Sequence, residues 1–255
     1  MNQRDATEPS FAQHADQRSG TVCGSSTTVL LTRVPVPGKV KTRLSSVISP
    51  DDCAVLQEAF ALDTVQKLSE AGGTLVVCYS DEARDMPEGT AFERRFLEAV
   101  AHACDSGCNL RFAPQRGQSL GERMAYAMES AFRTAAGPCI LVGSDIPQIT
   151  AQDVPAAMRA LAEHDVVFGP GTDGGYWLVG CRSSFPQLFE GKIYSKADVL
   201  AEALAVCHAH GRSVALLHSL FDVDTPADCQ TLCERIRVRD PRLGPRTLSL
   251  MEMGR

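Results

Sequence analysis

The sequence predicts an α/β fold with a mostly parallel, Rossmann-like sheet and helices on both faces. Two observations predict it. Short runs of β-branched and apolar residues recur along the chain, and longer segments with helical periodicity separate them. Hydrophobic residues make up 44% and charged residues 22% of the 255 residues, a balance that supports one sizeable buried core.

Three parts are predicted along the chain. Residues 1–26 are polar and aperiodic, which predicts a disordered leader. Residues 27–238 carry the alternating pattern and are predicted to form a single domain. Residues 239–255 have turn residues and little periodicity, so they are predicted to be a C-terminal tail, to which the sequence assigns no role.

Seven runs are predicted to be strands: 29–33, 74–79, 110–113, 140–143, 166–169, 176–180 and 214–217. Helix-start signals lie between them. Asp51 precedes a segment that runs to residue 70, and Ser119 and Glu122 have the spacing of a capping box. Thr150 and Thr225 are each followed by an aspartate three residues later, which predicts a hydroxyl cap and an acid in the first turn.

Charge and hydropathy exclude several classes of partner. The net charge is −6 and the isoelectric point about 5.5, which argues against a surface for nucleic acid or anionic membrane. No run approaches the roughly 18 apolar residues that span a bilayer, and the first 20 residues lack an apolar signal core. A cytoplasmic protein without a membrane span is therefore predicted, and any phosphate site must be local.

The ten cysteines are predicted to be reduced core side chains, because they lie mostly in apolar segments, as Cys78 does. Cys104 and Cys108, and likewise Cys229 and Cys233, are four positions apart. On a helix this spacing would place two thiols on one face, where they could bind a soft metal or metalloid. The core interpretation is favoured because metal sites usually add CxxC or Cys/His clusters.

Two segments offer carboxylates for a divalent metal. Asp145 follows the buried run that ends at residue 143, and ligands of open α/β sheets bind at the carboxyl ends of strands. The alternative is that Asp145 only organises the turn before Pro147. Asp222 and Asp224 follow the last run; metal binding is favoured for Asp224, because Thr225 can cap the helix. For Asp222 a site role and a helix-start role stay open. The predicted ligands of Mg²⁺ or Mn²⁺ are Asp145 and Asp224.

Residues 169–177 are dense in glycine, so their backbone can approach a ligand closely. Asp173, Gly174 and Gly175 could orient a sugar or an acceptor, and Asp173 could also act as a base. A hairpin turn is the alternative, since Asp-Gly and Gly-Gly favour turns between apolar runs. Both interpretations can hold together.

Residues 32–44 place four cations in a Pro/Gly loop after the first run. Arg33, Lys41 and Arg43 are candidate phosphate contacts, and a solvated basic loop is the alternative. The spacings of a P-loop and of a dinucleotide fingerprint are absent, which removes the main support for kinases and dehydrogenases.

Residues 115–124 follow the third run and begin a helix whose amides could face an anion or a base edge. Gln118, Gly121 and Arg123 are the candidate contacts there, with a surface cation as the alternative for Arg123. The six histidines form no catalytic or metal-binding spacing.

Five ordered motifs together resemble a bacterial family related to the GT-A glycosyltransferases, of the arsenosugar-biosynthesis type. They are PxPGxVKTRL at 35–44, QxGxxLGxRM at 115–124, GSDIP at 143–147, GPxxDGGYWLVG at 169–180 and DVDTPAD at 222–228. The resemblance implies a GT-A, nucleotide-diphospho-sugar transferase fold, a nucleotide-sugar donor and a divalent cation. The chain is more distantly similar to 2-phospho-L-lactate guanylyltransferases and molybdenum-cofactor nucleotidylyltransferases, in which acids matching Asp145 and Asp224 bind metal.

The leading functional prediction is a metal-dependent glycosyltransferase with a nucleotide-sugar donor and a small-molecule acceptor. In it, Asp145 and Asp224 hold the metal while Lys41 and Arg43 neutralise the diphosphate. The alternative is a nucleotidylyltransferase that transfers NMP from an NTP to a phosphorylated small molecule and releases pyrophosphate. A third possibility is a catalytically silent nucleotide-binding or scaffold protein.

Overall fold

The computed structural model describes residues 26–80, 86, 88–135, 137–194 and 198–250. The predicted leader, apart from Ser26, lies outside the described residues. Within them, no helix combines the length and the apolar character needed to cross a membrane.

Seven strands of the described chain form one sheet in the order β3-β2-β1-β4-β6-β5-β7. Neighbours pair in parallel except around β6, which runs antiparallel to both β4 and β5. The strands are β1 (Thr27–Thr32), β2 (Thr74–Tyr79), β3 (Asn109–Pro114), β4 (Cys139–Gly143), β5 (Val166–Pro170), β6 (Tyr176–Cys181) and β7 (Val214–Leu216). The predicted mostly parallel α/β sheet is confirmed, and each predicted strand matches an observed one to within two residues at either end.

Helices cover both faces of the sheet, as predicted. Val65 of α1, Phe96 of α2 and Leu161 of α4 lie in the apolar core on one face, whereas Met128 of α3 and Ala203 of α5 lie in the core on the other. The helices are α1 (Pro50–Glu70), α2 (Gly89–Ala103), α3 (Leu120–Thr134), α4 (Asp153–Glu163), α5 (Val199–Ala209), α6 (Pro226–Arg237) and α7 (Pro245–Ser249). The sheet is therefore buried on both sides, which explains why its parallel strands are nearly continuous apolar runs.

Two of the predicted helix starts have the expected caps. Ser119 forms a reciprocal capping box with Glu122 at the start of α3, and Thr225 forms one with Asp228 at the start of α6. The prediction for Thr150 is wrong in detail, because α4 begins only at Asp153. There the Asp153 carboxylate accepts hydrogen bonds from the backbone N–H and the hydroxyl of Thr150, so the acid closes a turn before the helix.

The glycine-rich segment 171–175 joins β5 and β6 as an antiparallel hairpin. The Gly171 N–H donates to the Gly175 carbonyl oxygen at 2.9 Å. The hairpin alternative of the sequence analysis is thus confirmed, and the turn lies at the edge of the sheet where the parallel strands end.

The segment predicted to be a tail packs onto α1 where it is described. The buried Asp63 carboxylate accepts hydrogen bonds from the backbone N–H of Arg246 and from both the N–H and the hydroxyl of Thr247. Leu243 is buried with Phe60 of α1 in a third apolar cluster. Residues 239–250 therefore pack against the rest of the domain.

Candidate active site

A cleft of about 490 Å³ opens at the carboxyl ends of the parallel strands, within the size range of small-ligand sites. It lies where β1 and β4 are neighbours. The chain leaves β1 towards β2 and β3 on one side and returns to β4 on the other, so this is the switch point at which α/β sheets bind ligands. The residues that line it are Leu31, Thr32, Arg33, Gln57, Gln115, Gln118, Leu120, Arg123, Met124, Leu141, Gly143, Ser144, Asp145, Ile146, Gly171, Asp173, Gly175, Tyr176, Trp177, Tyr194, Val199 and Asp222.

Asp145 stands at the end of β4 and forms an ion pair with Lys41. The Lys41 Nζ lies 2.7 Å from Asp145 Oδ1 and donates to the Val223 carbonyl oxygen at 2.7 Å. Only 2% of the Lys41 side chain is exposed, against 47% of the Asp145 side chain. The ammonium also lies 5.5 Å from the centre of the Phe60 ring. Lys41 thus contacts the acid from below the cleft and is not among the lining residues.

The same contacts fix the loop that follows β7. The Val223 N–H donates to the Asp145 carbonyl oxygen at 3.0 Å, while the Val223 carbonyl oxygen accepts from Lys41. Val223 itself is fully buried. The acids on either side of it, Asp222 and Asp224, are therefore held at a defined place beside Asp145.

The two acids of this loop have different surroundings. Asp222 lines the cleft, and burial, followed by the negative charge of Asp173, raises the pKa of its carboxyl to about 6. Asp224 lies outside the lining and pairs with Arg43 at 2.5 Å, in a largely exposed contact. The sequence favoured Asp224 and left Asp222 open; the structure places Asp222 in the cleft.

The start of α6 holds this loop in place. One oxygen of the Asp228 carboxylate accepts hydrogen bonds from the backbone N–H groups of Asp224 and Thr225 and from the Thr225 hydroxyl. This local network explains why an Asp-rich stretch ends in a helix cap, and it sets the direction of the chain at the two acids.

Two guanidinium groups line the cleft from different loops. Arg33 follows β1 and donates to the Lys39 carbonyl oxygen at 3.3 Å. Arg123 lies in the first turn of α3 and donates to the Gly117 carbonyl oxygen at 3.2 Å. A guanidinium group carries several N–H donors in a fixed planar geometry, which suits contact with an anionic ligand.

The start of α3 borders the same cleft. Gln118 lines it, and its backbone N–H donates to the Glu122 carboxylate at 2.6 Å. Gly121 has a packing role instead: a Cβ there would lie 2.7 Å from the carbonyl oxygen of Phe189 and 3.0 Å from the Tyr194 ring. The glycine therefore lets the helix approach the segment that carries Tyr194, and it does not line the cleft.

The hairpin turn places Asp173 and Gly175 in the lining. An Asp173 carboxylate oxygen accepts from the Gly175 N–H at 2.9 Å, which locks the turn. Gly174 has φ of +89° and its carbonyl oxygen accepts from the Leu200 N–H, so it anchors α5 to the turn. Of the three predicted contacts in this segment, Gly174 lies outside the lining.

Several lining residues were missed by the sequence analysis. The buried Gln57 donates to the Ser144 hydroxyl at 2.9 Å, beside Asp145. Gln115 donates to the carbonyl oxygens of Thr32 in β1 and Cys78 in β2, and the hydroxyls of Tyr176 and Tyr194 lie 3.2 Å apart. Gln115 and Tyr176 belong to the motifs at 115–124 and 169–180, and the signal for Gln57 is a glutamine on the apolar face of α1, because a buried amide needs a polar partner.

The cleft thus unites some of the predicted site residues and leaves others outside its lining. The lining includes Arg33, Gln118, Arg123, Asp145, Asp173 and Gly175, whereas Lys41, Arg43, Gly121, Gly174 and Asp224 lie outside it. In the described part of the chain, no three His, Cys, Asp or Glu side chains are grouped as a metal site. The predicted metal ligands therefore stay a prediction.

Comparison with known proteins gives consistent matches. The profile of a family described as "Uncharacterized protein conserved in bacteria (DUF2064)" matches residues 64–196. A 3-phospho-D-glycerate guanylyltransferase from Phenylobacterium zucineum is 31% identical over 193 residues, covering 74% of this chain and 81% of that protein. A phosphoenolpyruvate guanylyltransferase from Sphaerobacter thermophilus is 29% identical over 139 residues, covering 53% of this chain and 64% of that protein.

Among solved structures, a protein from Desulfovibrio desulfuricans assigned as a nucleotide-diphospho-sugar transferase superposes with a TM-score of 0.76. It is 33% identical, and the match covers 89% of this chain and 94% of that one. The predicted nucleotide-diphospho-sugar transferase fold is confirmed. The names of the two guanylyltransferases favour the nucleotidyl-transfer alternative over glycosyl transfer, and the arsenosugar-biosynthesis type stays a prediction.

Proposed function

This chain belongs to the bacterial family DUF2064, and we propose that it is a nucleotidyltransferase. It would transfer the NMP group of an NTP to a phosphorylated small molecule and release pyrophosphate. The observation that carries the proposal is the composition of the cleft. Two guanidinium groups, of Arg33 and Arg123, share one cavity with the carboxylates of Asp145, Asp173 and Asp222. Cations for phosphates and oxygen ligands for a divalent ion are the parts that such a reaction needs.

The proposed reaction suits the acids and bases present. An oxygen of the acceptor phosphate forms a bond to the α-phosphorus of the NTP, and the bond between that phosphorus and the oxygen bridging to the β-phosphate breaks. An acceptor phosphate is already ionised at neutral pH, so no general base is required. Glycosyl transfer to a hydroxyl would need one, and Asp173, the predicted base, already uses one oxygen to lock the hairpin turn.

A divalent metal fits the residues of this site. The donors are all carboxylate oxygens, which Mg²⁺ and Mn²⁺ prefer. The Oδ1 atom of Asp145 is buried and, apart from the ion pair with Lys41, meets no hydrogen-bond donor in the described chain. Asp145 would hold the ion together with an acid of the adjoining loop, either Asp222 from within the cleft or Asp224 after release of Arg43. When bound there, the ion would neutralise charge on the triphosphate.

The remaining residues would bind and orient the substrates. Arg33 and Arg123 would contact phosphate oxygens from two sides of the α-phosphorus, and Arg43 would join them when its contact with Asp224 opens. Lys41 would act as a positioning residue that holds the Asp145 carboxylate in place.

The names of the relatives suggest the substrates. Both relatives are guanylyltransferases, and their acceptors, 3-phospho-D-glycerate and phosphoenolpyruvate, are small phosphorylated carboxylic acids. For this chain we propose GTP as the donor and an acceptor of the same chemical class.

The test is incubation of the full chain with Mg²⁺ or Mn²⁺, each of the four NTPs, and a panel of small phosphorylated carboxylic acids. Pyrophosphate is quantified and the products are identified by mass spectrometry. We expect pyrophosphate and a guanylylated acceptor from GTP, and a loss of about 100-fold in Asp145→Asn. Asp165→Asn is the matched control, because Asp165 lies before β5 at the opposite edge of the sheet.

Two further variants assign the second carboxylate. If Asp222 holds the metal, Asp222→Asn raises the Mg²⁺ concentration needed for half-maximal rate, and Asp224→Asn leaves it unchanged. The reverse pattern assigns the metal to Asp224. A protein that turns over GTP without added divalent ion, in the presence of a chelator, would contradict the metal assignment altogether.

Glycosyl transfer is the second candidate, supported by the structural match to the protein assigned as a nucleotide-diphospho-sugar transferase. The same assay includes UDP-, GDP- and dTDP-sugars with a cell-metabolite extract as acceptor. Release of a nucleoside diphosphate from one sugar, without pyrophosphate from any NTP, would replace the nucleotidyl-transfer proposal with this one.

A further inference from the structure

Two cysteines lie together at the edge of the sheet opposite the cleft. Cys104 caps the carboxyl end of α2, and Cys108 directly precedes β3. Both side chains are partly exposed and pack at the margin of the apolar core. The cleft lies at the other end of the strands, so this pair is separate from the proposed nucleotidyl-transfer site.

The chain turns sharply between the two thiols. Cys104 has extended backbone angles, φ −76° and ψ 137°, which end the helix at that residue. The Cys108 N–H then donates to the Asp105 carbonyl oxygen at 3.1 Å, and the Gly107 N–H donates to the Asp105 carboxylate at 2.8 Å. This tight turn folds Cys108 back towards Cys104. The Cys104 thiol donates to the Asp105 carbonyl oxygen and the Cys108 thiol to the Gly73 carbonyl oxygen, both at 3.7 Å.

The two thiols differ in acidity. The neighbouring Cys108 thiol lowers the pKa of Cys104, while the neighbouring Cys104 thiol, reinforced by burial, raises the pKa of Cys108. By contrast, burial raises the thiol pKa of core cysteines such as Cys78 and Cys181 to about 12. A thiolate is the nucleophile in disulfide exchange, so Cys104 is the more reactive member of its pair.

The second pair with the same sequence spacing has a different geometry. Cys229 and Cys233 both lie inside α6, between Pro226 and Arg237. Helix positions four apart hold their Cβ atoms roughly 5–6 Å apart, whereas a disulfide needs Cβ atoms about 3.5–4.5 Å apart. A disulfide across α6 would distort the helix; the turn at 104–108 carries no such constraint.

We propose that Cys104 and Cys108 form a reversible dithiol–disulfide pair that reacts with low-molecular-weight disulfides. The Cys104 thiolate attacks one sulfur of the small disulfide, forms a mixed disulfide and releases one small thiolate. The Cys108 sulfur, on losing its proton, then attacks the Cys104 sulfur and releases the second. In total, two protein thiols are oxidised, one small disulfide is reduced to two thiols, and a link between Cys104 and Cys108 remains.

The test uses the full chain incubated with mixtures of oxidised and reduced glutathione, followed by alkylation and peptide mapping by mass spectrometry. We expect a Cys104–Cys108 link, a mass lower by two hydrogen atoms, and recovery of both thiols with a dithiol reductant. The Cys229–Cys233 pair is the internal control and should stay reduced under the same conditions. Absence of the 104–108 link, or an equal yield of the 229–233 link, would overturn the proposal.

One variant and one labelling experiment test the order of attack. Cys108→Ser should retain a stable glutathione adduct on Cys104, since no second thiol can displace it. In the unmodified chain, brief alkylation should label Cys104 at least about tenfold faster than Cys108, because Cys108 has the raised pKa and lacks thiolate character. Equal labelling rates would contradict the assigned roles. The link in the unmodified chain is measured without any substitution, so an unfolded variant cannot obscure the result.

Discussion

The buried ammonium group of Lys41 lies between the acid that follows β4 and the loop that follows β7. Burying a charge costs free energy unless a partner of opposite charge and hydrogen bonds compensate it. Asp145 and the Val223 carbonyl oxygen provide both. The backbone of Lys41 is also left-handed, with φ of 48°, which an L residue adopts only when its surroundings fix it. These features make Lys41 a structural support of the acid.

Replacing the ammonium group of Lys41 should lower the stability of the protein. Lys41→Met keeps the length of the side chain but leaves the Val223 carbonyl oxygen without its donor and Asp145 without its counter-charge. We expect the free energy of unfolding to fall by about 2 kcal/mol, less than for a fully buried pair because Asp145 is partly exposed. Urea unfolding in metal-free buffer measures it.

Arg43→Met is the matched control for this prediction. It removes the other cation–aspartate pair of the same loop, in which 67% of the Arg43 side chain is exposed. Exposed pairs contribute about 1 kcal/mol or less. Equal losses in the two variants would show that burial of Lys41 has no special effect.

At the scale of elements, the C-terminal segment is held by carboxylates. Asp240 is buried and accepts hydrogen bonds from the backbone and guanidinium of Arg242, with Arg235 nearby. These contacts, the hydrogen bonds of Arg242 first, lower the pKa of Asp240 to about 2. Because the ionised form is favoured in the folded state, Asp240 stabilises the protein above the pKa of about 4 that an unfolded aspartate has. That stabilisation is lost as the pH falls from about 4 towards 2.

Asp240→Asn should therefore destabilise the protein in a pH-dependent way. At pH 7 we expect the free energy of unfolding to fall by about 2 kcal/mol, with the difference from the unmodified chain shrinking below pH 4. Denaturant unfolding at a series of pH values measures it. Asp198→Asn is the control, since Asp198 is exposed and makes no cap hydrogen bond to α5. A difference that stays constant down to pH 2 would contradict the assigned cause.

At the scale of the whole molecule, the candidate site depends on the third apolar cluster, which is separate from the two cores that cover the faces of the sheet. Leu44, Phe60 and Val223 pack in it with Leu232 of α6 and Leu243 of the C-terminal segment. Phe60 contacts the Lys41 ammonium. Val223 lies between Asp222 and Asp224 in the chain, and its carbonyl oxygen accepts a hydrogen bond from Lys41. The C-terminal segment therefore supports the base of the cleft without lining it.

Removal of residues 239–255 tests this connection. The truncated chain loses Leu243 and the partners of the buried Asp63, so we expect the free energy of unfolding to fall by roughly 3 kcal/mol or more. Thermal and urea unfolding measure it. Removal of residues 1–25, predicted to be a disordered leader, should change the stability little. A 239–255 truncation as stable as the full chain would show that the segment does not contribute to the core.

Much of the fold could be predicted from local sequence. The seven strands follow from β-branched runs, and the caps at Ser119 and Thr225 follow from residue types at fixed spacing, because these features depend on near neighbours. The carboxyl-end position of Asp145 followed from the strand pattern. The sequence could not predict which of Asp222 and Asp224 faces the cleft. The two residues are only two positions apart, and their surroundings differ only in the folded loop.

The sequence by itself determined the fold class, the strand positions, the caps at Ser119 and Thr225, and the set of acids and cations near the ends of β1 and β4, since local preference and hydrophobic pattern suffice for these. Only the tertiary structure decided which of them share the cleft. Lys41, predicted to contact phosphate, is buried and pairs with Asp145. Cys104 and Cys108 lie on either side of the turn that follows α2, whereas the equally spaced Cys229 and Cys233 lie within one continuous helix. Burial and the direction of side chains depend on contacts between distant parts of the chain, which spacing along the sequence does not contain.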